Sequence, residues 1–337
     1  MASCGRLAIG PLNNRVRRSS IQRITNMQLS VLPYVCLLTI PIPAQDPIRV
    51  DVKLINVAFA VRDTAGKLVM NLNQDDFEVF EDGTPQKISF FAKSTDVPLN
   101  LGLLVDMSGS QEPFMKRHHK DLETFLKKSL GPRDKAFLLC FGNRLRLAED
   151  FSSSPKELAA ELKDFLKGHG EYPQLGPLQE KRILGTAFYD AIYYSIEEKL
   201  ADATKGRRAL IIFSDGEDNS SAHHMLDAIE AAQNNDVLLF SVRYTDAKDG
   251  KWNARNKYGK SVMERISRET GGADFDARSK GLAENFEQIG EQLRSSYELA
   301  YHSTNPIPDG TFHKISIRVK QPGLKVRAKS GYYARGV

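Results

Sequence analysis

Residues 101–110 read L-G-L-L-V-D-M-S-G-S. An unbroken apolar run ending in Asp106, Ser108 and Ser110 predicts a strand buried on both faces that delivers three oxygen donors where it leaves a sheet. Such donors suit a hard divalent cation, yet one carboxylate and two hydroxyls are too few to fill an octahedral Mg2+ shell. Two later segments offer more: Gly185-Thr186 heads an apolar periodic stretch, and Ser214-Asp215-Gly216 closes the apolar run 209–213. Open α/β sheets bind ligands beyond the carboxyl ends of their strands. Asp106 and Asp215 sit at such ends, Thr186 opens a helix that can start on the same face, and Gly109 lets backbone come close. Singly, each residue reads more simply as an N-cap or turn; together they favour a site.

Working outward, apolar runs alternate with helical stretches from Leu99 onward, the texture of a doubly wound, mostly parallel α/β sheet. Strands are expected over 99–106, 136–141, 145–150, 209–214, 237–244 and 273–276. The second follows a short Gly142-Asn143-Arg144 turn into the third, which makes 145–150 an antiparallel edge. Helices are expected over 113–130, 155–167, 187–200, 221–234, 261–270 and 280–296. Before this middle, residues from Ile48 to about Ala92 alternate with period two between Asp/Gly turns, and after Ser296 the alternation returns. Each end has too few strands to be stable alone, so the two are expected to meet as one β-sandwich with the α/β layer inserted. The expected domains are 1–44, a secretory leader; 45–98, first sandwich part; 99–296, the α/β layer; and 297–337, second sandwich part. No nucleophile, base and metal-ligand cluster is visible in the β-rich ends.

D-M-S-G-S, G-T-A-F-Y-D-A-I and F-S-D-G-E-D-N resemble the three loops of the metal-ion-dependent adhesion site of von Willebrand factor A domains. The flanks D-F-E-V-F-E-D-G and R-V-K-Q-P-G-L-K-V-R-A-K-S-G-Y-Y resemble exported bacterial proteins of the A-domain-related type. The resemblance implies that Ser108, Ser110 and Thr186 place hydroxyls on a metal, Mg2+ or else Mn2+ or Ca2+, with Asp106 and Asp215 binding it directly or through water. It also implies an open coordination position for a carboxylate from a protein partner.

The formal charge of +5 comes from the leader: Arg6, Arg15, Arg17, Arg18 and Arg23 precede the first acidic residue, Asp46. Removing those five from 47 basic residues leaves 42 against 42 acidic ones, so no field favours nucleic acid. The apolar run 29–42 and Pro43-Ala44-Gln45 complete the order of an export signal, cleaved near Ala44. That run is shorter than the roughly 20 residues a spanning helix needs and is broken by prolines, so no stable transmembrane anchor is expected. A transit peptide, a retained anchor or a misplaced start codon ranks below export to the periplasm, cell surface or medium. Cys4 and Cys36 leave with the leader; Cys140 lies in an apolar run and reads as core.

Among loops at strand carboxyl ends, 168–184 with Tyr172 and the Trp252 loop are expected to flank the metal and read the partner. His118-His119 and His223-His224 are expected on helices, with diverging rings on a solvated surface. No nucleophile elbow, phosphate-binding loop or H-E-x-x-H is present. The expected function is therefore non-enzymatic protein binding. The alternatives are a metal-assisted hydrolase using Asp106 and Asp215, or an assembly protein with a vestigial metal site.

Overall fold

The structure, a computed structural model, describes residues 54–177, 185–203, 205–245, 252–305 and 309–334. The expected leader, and residues 178–184 and 246–251 of the two loops expected to read a partner, lie outside them. In chain order the strands are β1 (Leu54–Arg62), β2 (Phe77–Glu81), β3 (Thr84–Gln86), β4 (Ile88–Ser94), β5 (Leu99–Asp106), β6 (Lys135–Phe141), β7 (Leu145–Ser152), β8 (Arg207–Ser214), β9 (Val237–Arg243), β10 (Asp274–Asp276), β11 (Ser296–His302), β12 (Phe312–Val319), β13 (Lys325–Ala328) and β14 (Gly331–Tyr333). The helices are α1 (Met115–Ser129), α2 (Pro155–Leu166), α3 (Phe188–Ser195), α4 (Met225–Asn234), α5 (Ala254–Glu269) and α6 (Leu282–Arg294).

Two four-stranded sheets, β13-β1-β11-β4 and β14-β12-β2-β3, mix strands from both ends of the chain. β1 buries Ile55, Val57, Phe59 and Val61 on one face, the pattern of a strand with a core on one side. It pairs antiparallel with β11, Val57 opposite Leu299 and Phe59 opposite Tyr297. Phe59 packs edge-on to Phe77 with centroids 5.0 Å apart, and Tyr297 stacks on Phe59 at 5.4 Å while its hydroxyl accepts from Leu72 N at 3.0 Å. Chain ends more than 200 residues apart therefore share one core, and the inserted arrangement expected from the alternation is present.

The inserted layer carries a six-stranded sheet in the order β10-β9-β8-β5-β6-β7, parallel except for β7, which runs antiparallel to β6 at the edge. Central β5 has helices on both faces. Leu101, Leu103 and Val105 join a core with residues of α1, α2 and α6, and Leu104 joins another with residues of α3, α4 and α5. Two covered faces are why its sequence is apolar without alternation. A Cβ on Gly102 would stand 2.4 Å from Leu210 Cδ2 and 2.5 Å from Phe137 Cζ, so the neighbouring strands' side chains occupy its place.

Helix starts differ from expectation for local reasons. α5 begins at Ala254 rather than residue 261 because Asn253 caps it, accepting from Asn256 N at 2.7 Å. α4 begins at Met225 rather than residue 221 because the Ala222 and His223 amides are held by Asp190 instead. The stretch Gly109–Phe114 is a 3-10 turn ahead of α1, and the helix expected to reach residue 200 widens to a π turn at Ile196–Leu200. No described helix is long and apolar enough to cross a membrane.

Candidate metal centre

Asp106 ends β5 with its side chain fully buried. Its Oδ1 accepts from Ser108 N at 2.8 Å and its Oδ2 from the Ser214 hydroxyl at 2.6 Å, tying the first loop to the end of β8. The Ser108 and Ser110 hydroxyls are 3.1 Å apart. Ser110 Oγ donates to Asp215 Oδ2 at 2.6 Å, and Gln111 Nε2 donates to the same oxygen at 2.8 Å. The first and third loops thus interlock through Asp106, Ser108, Ser110, Ser214 and Asp215.

Thr186 enters through its backbone. Its carbonyl accepts from Asn219 N and Ser220 N, both at 3.1 Å, and its N donates to Asn219 Oδ1 at 2.7 Å. Ala187 N donates to Gly142 O at 2.7 Å, one residue beyond Phe141, whose carbonyl accepts from Met107 N at 2.6 Å. The end of β6 therefore holds the first and second loops side by side, while Asn219 and Ser220 join the second to the third. Thr186 is itself buried.

α3 and the third loop also cap each other. Asp218 Oδ1 accepts from Phe188 N at 2.9 Å and Tyr189 N at 3.4 Å, at the start of α3. From inside α3, Asp190 accepts from Ala222 N and His223 N at 2.9 Å and from His223 Nδ1 at 2.8 Å. α5 braces the loop from behind: a Cβ on Gly259 would come within 2.3 Å of Asp215 O, and one on Gly216 within 2.5 Å of Gly259 O. Only glycine at both places allows that approach, and Gly216 adds a φ of +79°.

The donor set fits a hard cation. Burial first, and then the charge of Asp215, pushes the Asp106 carboxyl up to about 7, against the hydrogen bonds from Ser214 and Ser108. Every recorded hydrogen bond to the Asp106 and Asp215 carboxylates comes from a hydroxyl, amide or backbone N–H, and none from a cationic side chain among the described residues. Gln111 Oε1 and the Ser220 hydroxyl, beside these loops, are buried without a hydrogen-bond partner. Ser108 is half-buried and Ser110 exposed, so the centre opens to solvent on its hydroxyl side. At its edge Arg255 is ion-paired with buried Glu217.

The two loops expected to read a partner differ. Tyr172 packs on Phe165 of α2 with centroids 4.9 Å apart, and Pro173 O and Leu175 N bond to Leu147 N and Leu145 O, so residues 173–175 extend the sheet along β7. The described part of that loop is sheet edge because β7 left its outer backbone unpaired. Trp252 lies under three cations, with Arg243 4.9 Å, Arg278 5.6 Å and Lys260 5.9 Å from its ring. Arg243 stands opposite Ser214 in the β8–β9 register, which places this group beside the third loop.

His118 and His223 correct the expectation of a solvated surface, whereas His224 is exposed as expected. His118 is wholly buried on the inner face of α1, 4.2 Å from the Tyr244 ring, and desolvation pulls its pKa down to about 3. His223 precedes α4, pairs with Asp190 and stacks on Tyr193 at 3.8 Å. Cys140 is buried as expected. Gln111, Asp190 and Asp218 are site residues that the sequence does not single out, although Asp190, four residues after Thr186, carries a helical-spacing signal.

No protein-family model and no curated protein matches this chain. Solved structures similar to it include an aerotolerance-related membrane protein from Bacteroides fragilis, at 13% identity and a TM-score of 0.42, covering 58% of this chain and 98% of that one. BatB from Bacteroides thetaiotaomicron gives 15% identity, the same TM-score and the same coverage. Proximal thread matrix protein 1 from the mussel byssus, in a form with a zinc-occupied MIDAS motif, gives 13% identity and a TM-score of 0.46, covering 63% of this chain and 50% of that one. These are distant likenesses of fold and assign no residue a role here.

Proposed function

We propose that this chain, whose inserted layer is of the von Willebrand factor A type, is an exported, non-enzymatic binding module that engages a protein partner through a divalent cation. Asp106, Ser108, Ser110, Thr186 and Asp215 would hold the ion, with Mg2+ favoured and Mn2+ or Ca2+ as substitutes, because every donor is an oxygen. When bound, such an ion offers a coordination position to an acidic side chain of the partner. The supporting observation is the buried Asp106 carboxyl, brought to Asp215 through Ser110 and Ser214 with no cationic side chain among the described residues bonded to either. Gln111 fixes the orientation of Asp215, and the three hydroxyls add donors without adding negative charge. Among the described histidines, His118 is buried against Tyr244 and His223 is paired with Asp190, so neither ring is free to act as a base at the centre.

The test is thermal unfolding and affinity capture of the full chain with Mg2+, with chelator, and for Asp106→Ala. An ion that binds only the folded state stabilises by about 2.7 kcal/mol at 100 times its Kd. A Mg2+-dependent rise in Tm, and Mg2+-dependent capture of a partner from the native envelope fraction, should both vanish in the variant. Wild-type protein whose melting ignores Mg2+ and Mn2+ refutes the reading and leaves a structural assembly role.

A further inference from the structure

Far from this centre in sequence, the sandwich gathers a second set of ligand atoms. One atom each from Glu81, Asp82 and His313 lie within 4.8 Å of one another. Glu81 ends β2, Asp82 begins the turn to β3 with a φ of +49°, and His313 lies in β12, so the first and last segments of the chain meet here. Glu81 is 2% exposed and His313 3%, whereas Asp82 is half-exposed.

Glu81 Oε2 accepts from the hydroxyls of Tyr301 at 2.7 Å and Tyr332 at 3.1 Å, and Oε1 accepts from the Ser303 hydroxyl. Hydroxyls carry no charge, and no Lys or Arg is paired with Glu81 among the described residues. A buried carboxylate needs a counter-charge. The candidate is at His313 Nδ1, 2.8 Å from Asp82 Oδ2 and 3.8 Å from Glu81 Oε1.

The other face of the ring bears on what sits at Nδ1. His313 Nε2 is 3.4 Å from the Thr311 hydroxyl, which donates its own proton to Asp309 Oδ1 at 2.6 Å and is thereby left to accept from Nε2–H. With its proton on Nε2 the ring turns the Nδ1 lone pair toward two carboxylates, an arrangement that a metal ion between them stabilises; with its proton on Nδ1 it donates to Asp82 Oδ2 instead. The 3.8 Å gap to Glu81 is too long for a hydrogen bond. Bonds of about 2.0–2.2 Å to zinc put tetrahedral ligand atoms roughly 3.3 Å apart, so an ion here draws Glu81 Oε1 in from 3.8 Å and moves Asp82 Oδ2 out from its 2.8 Å hydrogen-bond distance. Thr311 and Asp309 supply the outer hydrogen bonds that orient metal-bound imidazoles, and the ring is steadied by stacking on Tyr332 at 5.4 Å and 21°.

We propose that Glu81, Asp82 and His313 form a second metal site, for a borderline cation of the Zn2+ type, that clamps the two chain ends of the sandwich together. Two carboxylates and an imidazole suit zinc, whereas the all-oxygen centre in the α/β layer suits magnesium. The half-exposed Asp82 is the side by which the ion enters. Because the site exists only when β2 and β12 are paired, zinc binding adds to the docking of segments that lie 231 residues apart.

The test is calorimetric titration of metal-stripped full chain with Zn2+ in an Asp106→Ala background, which disables the other centre. One Zn2+ per chain is expected. Asp82→Asn, which can keep the turn's acceptor for Lys314 N, should weaken it at least tenfold, and His313→Gln should abolish it. Imidazole 15N spectra should show the His313 Nδ1 resonance move on zinc addition while Nε2 stays protonated. No stoichiometric zinc in the Asp106→Ala protein, equal affinity in Asp82→Asn, or a His313 Nδ1 that keeps its proton in excess zinc overturns the proposal. Asp82→Asn lies at a half-exposed turn and keeps the test decisive should His313→Gln fail to fold.

Discussion

Replacing Asp106 by Asn should make the metal-free protein more stable at neutral pH. Burial and Asp215 raise the Asp106 carboxyl from 3.8 to about 7 in the folded state. Between those values the folded chain keeps a proton that the unfolded chain has lost, so stability is fully present below pH 3.8 and falls as pH rises through 7. That interval, at 1.36 kcal/mol per pH unit, makes a cost of roughly 4 kcal/mol at pH 7.5. Asn removes the charge and can keep both bonds if Ser108 N donates to its oxygen and its amide donates to a rotated Ser214 hydroxyl. That rearrangement loses about 1 kcal/mol, which leaves a net gain of roughly 2–3 kcal/mol. Urea unfolding in EDTA, run from pH 4 to 8, reads it directly: the two proteins should converge near pH 4 and diverge toward pH 8. Saturating Mg2+ should restore the wild type and leave the variant unmoved. A wild type whose metal-free stability is flat over this range, with Asp106→Asn weaker at every pH, refutes the buried-charge reasoning.

Asp218→Ala removes the cap of α3 and one half of its exchange with the third loop; it should cost about 1 kcal/mol by urea unfolding and weaken Mn2+ binding measured by calorimetry. Gly102→Ala forces a methyl against Leu210 and Phe137 and should cost about 1–3 kcal/mol, seen as a lower urea midpoint with unchanged slope. Cys140 is buried and its thiol is raised well above the ordinary range, so a thiol reagent should label it slowly in the native protein and at once in urea.

The parts of this fold that sequence alone exposes are those with a one-dimensional signature. β5 is covered on both sides, so 101–105 is apolar without a break, and the donors that follow are spaced where the strand ends. Alternation in β1 and β11 likewise marks the side chains that fill the sandwich core, and the shortage of strands at each end forces their pairing. His118 lies inside although the sequence suggests a solvated face, because a polar residue in the stripe of Leu122, Phe125 and Leu126 does not announce that it is buried. The first turns of α5 carry no apolar periodicity, since they hold Lys257, Gly259 and Lys260; the features that start and place the helix are the Asn253 cap and the approach of Gly259 to Asp215. Glu81, Asp82 and His313 had no local pattern at all, since their meeting depends on the β2–β12 register.

The most direct measurement is diffraction at the manganese edge from crystals of the full chain soaked in Mn2+. One anomalous peak should stand among Asp106, Ser108, Ser110, Thr186 and Asp215, with the Thr186 hydroxyl turned to it. A soaked crystal with no manganese among those five residues, or with the ion held elsewhere and the Thr186 hydroxyl turned away, contradicts the proposed centre.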